Sequence, residues 1–85
     1  MLKTIKDIEN MRKTTSMPYG DNYTRLIEHL VNIYINKPED MQKVKHELLY
    51  WDKEAQEVII RDMIIRIKER KLRNFNEEEF KKALK

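Results

Sequence analysis

The residues best suited to chemistry in this chain are the cations of one octapeptide, residues 66–73. The segment holds five Lys and Arg side chains and one Glu, a net charge of +4, whereas the whole chain carries +3. Clustered cations neutralise phosphates and release counterions, so the segment predicts a nucleic-acid contact. Its members are three arginines that share one helical face and two lysines beside them: Arg66, Arg70, Arg73, Lys68 and Lys71.

The same segment also has a purely structural interpretation. Asp62 precedes Arg66 by four residues, and Glu69 precedes Arg73 by four, which is the favourable order for ion pairs within a helix. Cations also belong in the last turn of a helix, where they complement its dipole. Charge patterning therefore favours a solvated helix end over a phosphate-binding patch.

Catalysis and metal binding have little support in the sequence. The chain has no cysteine, and Ser16, its only serine, has no identifiable His–Asp relay. His29 and His46 lack the spacing that places two metal ligands on one helical face. We therefore expect no catalytic, cofactor-binding or metal-binding residues, no small-molecule substrate and no enzymatic activity.

A second candidate site is an apolar stripe on the longest predicted helix. Four apolar residues recur there at every seventh position: Trp51, Val58, Ile65 and Leu72. The stripe predicts contact with a protein partner or with a second copy of the chain, as in a homo-oligomer. For Trp51 a place in the core is the alternative, because a tryptophan in a protein this small is more often a buried anchor.

The elements that must position these residues are predicted to be helices. One Gly and two Pro among 85 residues are too few turn signals for a β protein. We predict an all-α fold, a compact small bundle of four or five helices. Its longest helix covers about 52–72, a short C-terminal helix covers about 77–84, and a break over 14–20 follows a short N-terminal helix.

Local signals place the ends of the central helices. Asp21 or Asn22 can cap a helix that stops near Asn36, and Pro38 suits the first position of the next helix. The stretch 38–71 could be one helix or two. We favour a break, with Asp52 capping the second helix. The helix that begins at Pro38 has an expected apolar stripe of Met41, Val44, Leu48 and Leu49.

The C-terminal helix has the clearest local code. Asn76 with Glu79 forms an N-x-x-E capping box, and Phe75 with Phe80 occupies the positions of a hydrophobic staple. These signals predict a helix that turns back onto the bundle at a defined angle. Its expected buried side consists of Phe80, Ala83 and Leu84.

Composition limits the kind of protein this is. Residues 1–85 are expected to form a single helical domain, in which 1–20 supply a short helix and a loop that can be mobile. Residues 1–15 lack the apolar core of a signal peptide, and no apolar run approaches the roughly 20 residues of a membrane span, so we expect a cytoplasmic protein without membrane contact.

The expected function is that of a small non-enzymatic binding or regulatory protein, acting through protein–protein contact or self-association. The alternative is a nucleic-acid-binding regulator that uses residues 66–73. In its size and its Lys-, Ile-, Asn- and Glu-rich composition the chain resembles accessory proteins of phages and mobile elements of low-GC bacteria. This resemblance is one of overall composition and transfers no residue role.

Overall fold

Helices account for all the regular structure in the part of the chain that the computed structural model describes, residues 1–13, 21–72 and 74–84. The elements in these ranges are α1 (Ile5–Lys13), α2 (Asn22–Asn36), a 3-10 helix (Pro38–Asp40), α3 (Met41–Leu48), α4 (Lys53–Glu69) and α5 (Glu77–Ala83). The all-α prediction is confirmed. The predicted break at 14–20 and Arg73 lie outside the described residues.

Two aspartates fix the starts of the long helices. The carboxylate of Asp21 accepts a hydrogen bond from the backbone N–H of Thr24 at 2.6 Å, and that of Asp52 accepts one from Ala55 at 2.8 Å. Each satisfies a backbone donor that the helix itself leaves unpaired. The cap at Asp52 confirms that 38–71 is not one helix, because α3 has already ended at Leu48.

The C-terminal helix follows its sequence code. Asn76 accepts a hydrogen bond from the backbone N–H of Glu79 at 3.1 Å, and the rings of Phe75 and Phe80 lie 5.5 Å apart. Phe80 also meets the ring of Tyr34 on α2 at 5.0 Å, edge to face. The staple therefore does more than shape a turn, since it brings α5 against α2 through an aromatic cluster.

Helix α4 packs against α1 and α2. The core contains residues from all five α-helices, and α4 contributes the most: Ala55, Ile59, Met63, Ile64 and Ile67. The predictions were wrong for Leu49, which is exposed because α3 ends before it, and for Ala83, which is exposed at the end of α5. The principal extents are 34 × 31 × 17 Å, and the thinnest corresponds to about one and a half helix diameters.

Candidate functional site

The predicted apolar stripe is not one continuous exposed surface. Trp51 is only 4% exposed, and Val58 packs partly against the core, whereas Ile65 is 48% and Leu72 37% exposed. The heptad spacing assumed one helix through all four residues. Trp51 instead lies before α4 and Leu72 after its end, so the four side chains do not follow a single helical face.

Trp51 is covered by the N-terminal segment of the chain. The backbone N–H of Lys3 donates to the carbonyl of Tyr50 at 2.8 Å, and the N–H of Asp52 donates to the carbonyl of Lys3 at 2.8 Å. The Lys3 ammonium lies 5.3 Å from the centre of the indole ring, within cation–π range. Trp51 therefore lies in the core, as the alternative for this residue predicts.

The basic segment does not continue as a helix. Helix α4 ends at Glu69, Arg70 is its C-cap, and Lys71 has the left-handed φ of 52° that ends many helices. The shared face predicted for Arg66, Arg70 and Arg73 depends on helix beyond this point. Arg66 and Arg70 do lie together, whereas Arg73 is outside the described residues.

Arg66 and Arg70 are both held by one carboxylate from α2. Glu28 contacts the Arg66 guanidinium at 3.4 Å and also pairs with Arg70, whose other amino group donates to the Asn32 side chain at 3.3 Å. The predicted pairing of Asp62 with Arg66 within α4 was wrong. Asp62 instead accepts from the hydroxyl of Tyr23.

Lys68 connects α4 to α5. Its ammonium lies 2.6 Å from the carboxylate of Glu77, which Lys81 also contacts at 3.3 Å. Hydrogen bonds from these two lysines lower the pKa of Glu77 from its usual value. Glu28 and Glu77 therefore offset half of the +4 charge of segment 66–73 and link it to neighbouring helices. Lys71 is exposed and has no ion pair among the described residues.

A groove of about 480 Å³ lies between α4 and α5. Ile60, Ile64 and Ile65 line it, and its edges carry charged residues from both helices, including Arg61 and Lys68. We call it the α4–α5 groove. Ile64 is buried, Ile60 is half-buried and Ile65 is largely exposed, so the apolar floor continues outward to solvent.

A second groove, of about 520 Å³, adjoins the first. It lies where α3, the first turns of α4 and Leu84 meet, and the exposed Leu49 is part of its wall. Glu57 and Ile60 line both grooves, so the two adjoin along α4, and we call the pair of grooves together the α4 channel. Sequence reasoning found Ile65 but missed the channel, because its walls come from three separate helices.

Folding brings together two other sets of residues that the sequence leaves apart. His29 and His46 line one surface groove of about 480 Å³ between α2 and α3. The described residues nevertheless contain no group of three side chains suited to hold a metal ion. In the second set, Tyr23 donates to Asp62, and the guanidinium of Arg12 lies 5.0 Å from the centre of the Tyr23 ring. Tyr23 is 2% exposed, and the hydroxyl of a buried tyrosine usually has a hydrogen-bond partner.

Comparisons of the chain with protein-family models, with curated proteins and with solved structures found no match. Within the described residues, none of the helices has the length and apolar character needed to cross a membrane.

Proposed function

We propose that this chain is a small, non-enzymatic, cytoplasmic binding protein with a regulatory role, and that it contacts a partner protein through the α4 channel. The observation that carries the proposal is the exposure of Ile65, 48%, beside the half-buried Ile60 in a channel that also contains Leu49, 61% exposed. Isolated exposed apolar residues are common, but here exposed apolar side chains share two adjoining grooves with charged edges, an arrangement that suits an apolar interface centre with a polar rim.

The chemistry of the channel favours binding over catalysis. Its two carboxylates belong to Glu57 and Glu77. Because two lysines lower the pKa of Glu77, that group stays ionised near neutral pH and is poorly matched to proton transfer. The remaining charged groups are lysines and an arginine on the channel edge, which suit recognition of a partner's charges.

Self-association is the second form of the proposal. The contact between the two copies would include the exposed Ile65 and Leu72, but not the buried Trp51. Sedimentation at high micromolar concentration tests it. A dimer that Ile65→Lys abolishes would support the self-associating form. A wild-type chain that stays monomeric, with Ile65→Lys equally folded and monomeric, would exclude it.

Nucleic-acid binding is the alternative function, and the exposed Lys68 and Lys71 are the feature that favours it. The carboxylate contacts of Arg66 and Arg70 weigh against it, because a bound phosphate would have to displace Glu28. The test replaces Arg66, Arg70 and Arg73 together with Gln, which keeps good helix propensity. Wild-type binding to DNA or RNA tighter than about micromolar near 150 mM salt, steeply salt-dependent and lost in this variant, would establish the alternative.

The direct test of the protein-binding proposal is capture from cells of the native host by the full chain, with mass spectrometry of bound protein and nucleic acid. Ile65→Gln is the test variant and Leu72→Gln is the matched control, since both remove an exposed apolar side chain and only Ile65 lines the channel. We expect a protein that Leu72→Gln retains and Ile65→Gln loses. Equal capture by both variants would contradict the proposal.

A further inference from the structure

We propose that the occupant of the α4 channel is an acidic amphipathic helix supplied by a partner protein. This inference rests on the proposed function and specifies the chemistry of the partner. It follows from two properties of the channel, the length of its lining along α4 and the sign of the charge along its edges.

The lining that α4 gives to the channel has the length of a helix-binding site. Residues of α4 from Lys53 to Lys68 line the channel, and 15 steps at a rise of 1.5 Å per residue give a length of about 22 Å. This matches a partner helix of about four turns. Leu49 at one end and Ile65 near the other give two exposed apolar contacts, with Ile60 between them. Helices that bind in such grooves present apolar residues at i, i+3, i+4 and i+7.

The charge along the channel edges is positive. Five cations line it, from all three helices: Lys45, Lys53, Arg61, Lys68 and Lys81. Among the lining residues Glu57 and Glu77 oppose them, which gives the lining a net charge of +3, and Asp62 beside the lining pairs with Arg61. Lys45 and Lys53 have no ion pair among the described residues, which leaves them available to a partner. Carboxylates flanking the apolar face of a bound helix would complement these edges.

The same charges argue against the other occupants. A second copy of the chain would bring another channel of net +3 against the first if the contact were two-fold, and like charges across an interface oppose association. Nucleic acid would meet the cations, but its phosphates gain nothing from an isoleucine floor. An acidic amphipathic helix satisfies both the apolar floor and the basic edges.

The experiment is a selection with the full chain from a displayed library of helical peptides of about 15 residues. Each peptide has leucines at the i, i+3, i+4 and i+7 positions, and its flanking positions are randomised among Glu, Lys and Gln. Selected peptides are then measured by fluorescence anisotropy against wild type, Ile65→Gln and Leu72→Gln. A charge variant, Lys45→Glu with Lys53→Glu, is compared with Lys6→Glu, whose exposed lysine lies on α1 outside the channel.

We expect selection of Glu-rich peptides. Their Kd should rise about tenfold in Ile65→Gln and in the Lys45/Lys53 charge variant, because the loss of one well-buried apolar contact or charge pair has an effect of this order. In the two controls, Leu72→Gln and Lys6→Glu, the Kd should change less than about twofold. Circular dichroism of each variant confirms that it is folded before affinities are compared.

Three results would overturn the inference. Selection of Lys-rich or uncharged peptides that still require Ile65 would reject an acidic partner and leave protein binding through the channel intact. Failure to select any peptide that depends on Ile65 would reject both this inference and the channel as the site. A channel-dependent dimer, or an oligonucleotide that displaces the selected peptides, would assign the channel to a second copy or to nucleic acid instead.

Discussion

The hydroxyl of Tyr23 is a single group that links α2 to α4. Its removal should measurably lower the free energy of unfolding. The Tyr23 side chain is 2% exposed, and its hydroxyl donates to Asp62 across a separation of 39 residues in the chain. The guanidinium of Arg12 lies against the Tyr23 ring, so α1 meets the same point. Tyr23→Phe keeps the ring and removes only the hydrogen bond.

The expected cost follows from the surroundings of the acceptor. A hydrogen bond to a charged group contributes about 1.5–3 kcal/mol. The Asp62 side chain is 17% exposed and is also contacted by Arg61 at 3.4 Å, so water and Arg61 partly compensate the carboxylate when the hydroxyl is lost. We therefore expect the lower end, about 1.5 kcal/mol. For a domain of this size that corresponds to a fall in Tm of about 6–12 °C.

Urea unfolding provides the assay. Trp51 is the only tryptophan and is buried, so its fluorescence reports unfolding of the core without a label. Tyr50→Phe is the control, because Tyr50 is 56% exposed, and we expect its change to stay within about 0.5 kcal/mol. If Tyr23→Phe costs no more than this control, the hydrogen bond contributes nothing and the reasoning fails.

Alkaline titration gives an independent check of the same interaction. Burial raises the pKa of Tyr23 above its usual value, and the hydrogen bond to Asp62 raises it further. The neutral hydroxyl is therefore favoured by folding, so its stabilisation is fully present below the usual tyrosine pKa of about 10 and is lost as the pH rises beyond it. The stability difference between wild type and Tyr23→Phe should shrink by about 1.4 kcal/mol per pH unit above 10. A difference that stays constant to pH 11 would refute the assignment.

Three further predictions concern the local contacts that position the helices. Asn76→Ala should cost about 1 kcal/mol and Phe80→Ala about 3 kcal/mol or more in urea unfolding, and unchanged stability in both would mean that α5 is a loosely attached tail. The backbone N–H of Thr24 lowers the pKa of Asp21, so this cap stabilises the fold above the usual carboxylate pKa and is lost as the pH falls through the lowered value. Asp21→Ala should cost about 1 kcal/mol at pH 7, whereas Asp21→Asn should cost little and lessen the acid sensitivity measured between pH 7 and 3. Glu28→Gln should lower the free energy of unfolding by about 1 kcal/mol or less. It should also strengthen any salt-sensitive DNA binding, because it releases Arg66 and Arg70 from their ion pairs. Unchanged DNA binding would contradict the view that Glu28 masks these arginines.

Much of the fold could be predicted because its signals are local. The caps at Asp21, Asp52 and Asn76, together with the Phe75–Phe80 staple, each involve residues no more than five apart in the chain. Such contacts depend on short-range geometry that a single helical turn defines. The predicted starts and ends of helices therefore agreed closely with the structure. The main exception was the end of α4, which stops at Glu69 instead of near 72.

The candidate sites were predictable only as single residues. Ile65 was identified by its spacing, but the α4 channel depends on α3 and α5 lying beside α4, and no local pattern contains that arrangement. The partner of Arg66 was predicted wrongly for the same reason. Glu28 is 42 residues from Arg70, and only the packing of α2 on α4 makes this carboxylate nearer to the arginines than those on their own helix.

The sequence by itself thus determined the helices and their caps, because periodicity and capping act over a few residues along one chain. The tertiary structure decided the burial of Trp51, the hydrogen bond between Tyr23 and Asp62, and the ion pairs that occupy Arg66 and Arg70. These depend on which helices meet and at which turns. The exposure of a side chain depends on distances across the fold, and so does the carboxylate with which a cation pairs. Spacing along the sequence does not give those distances.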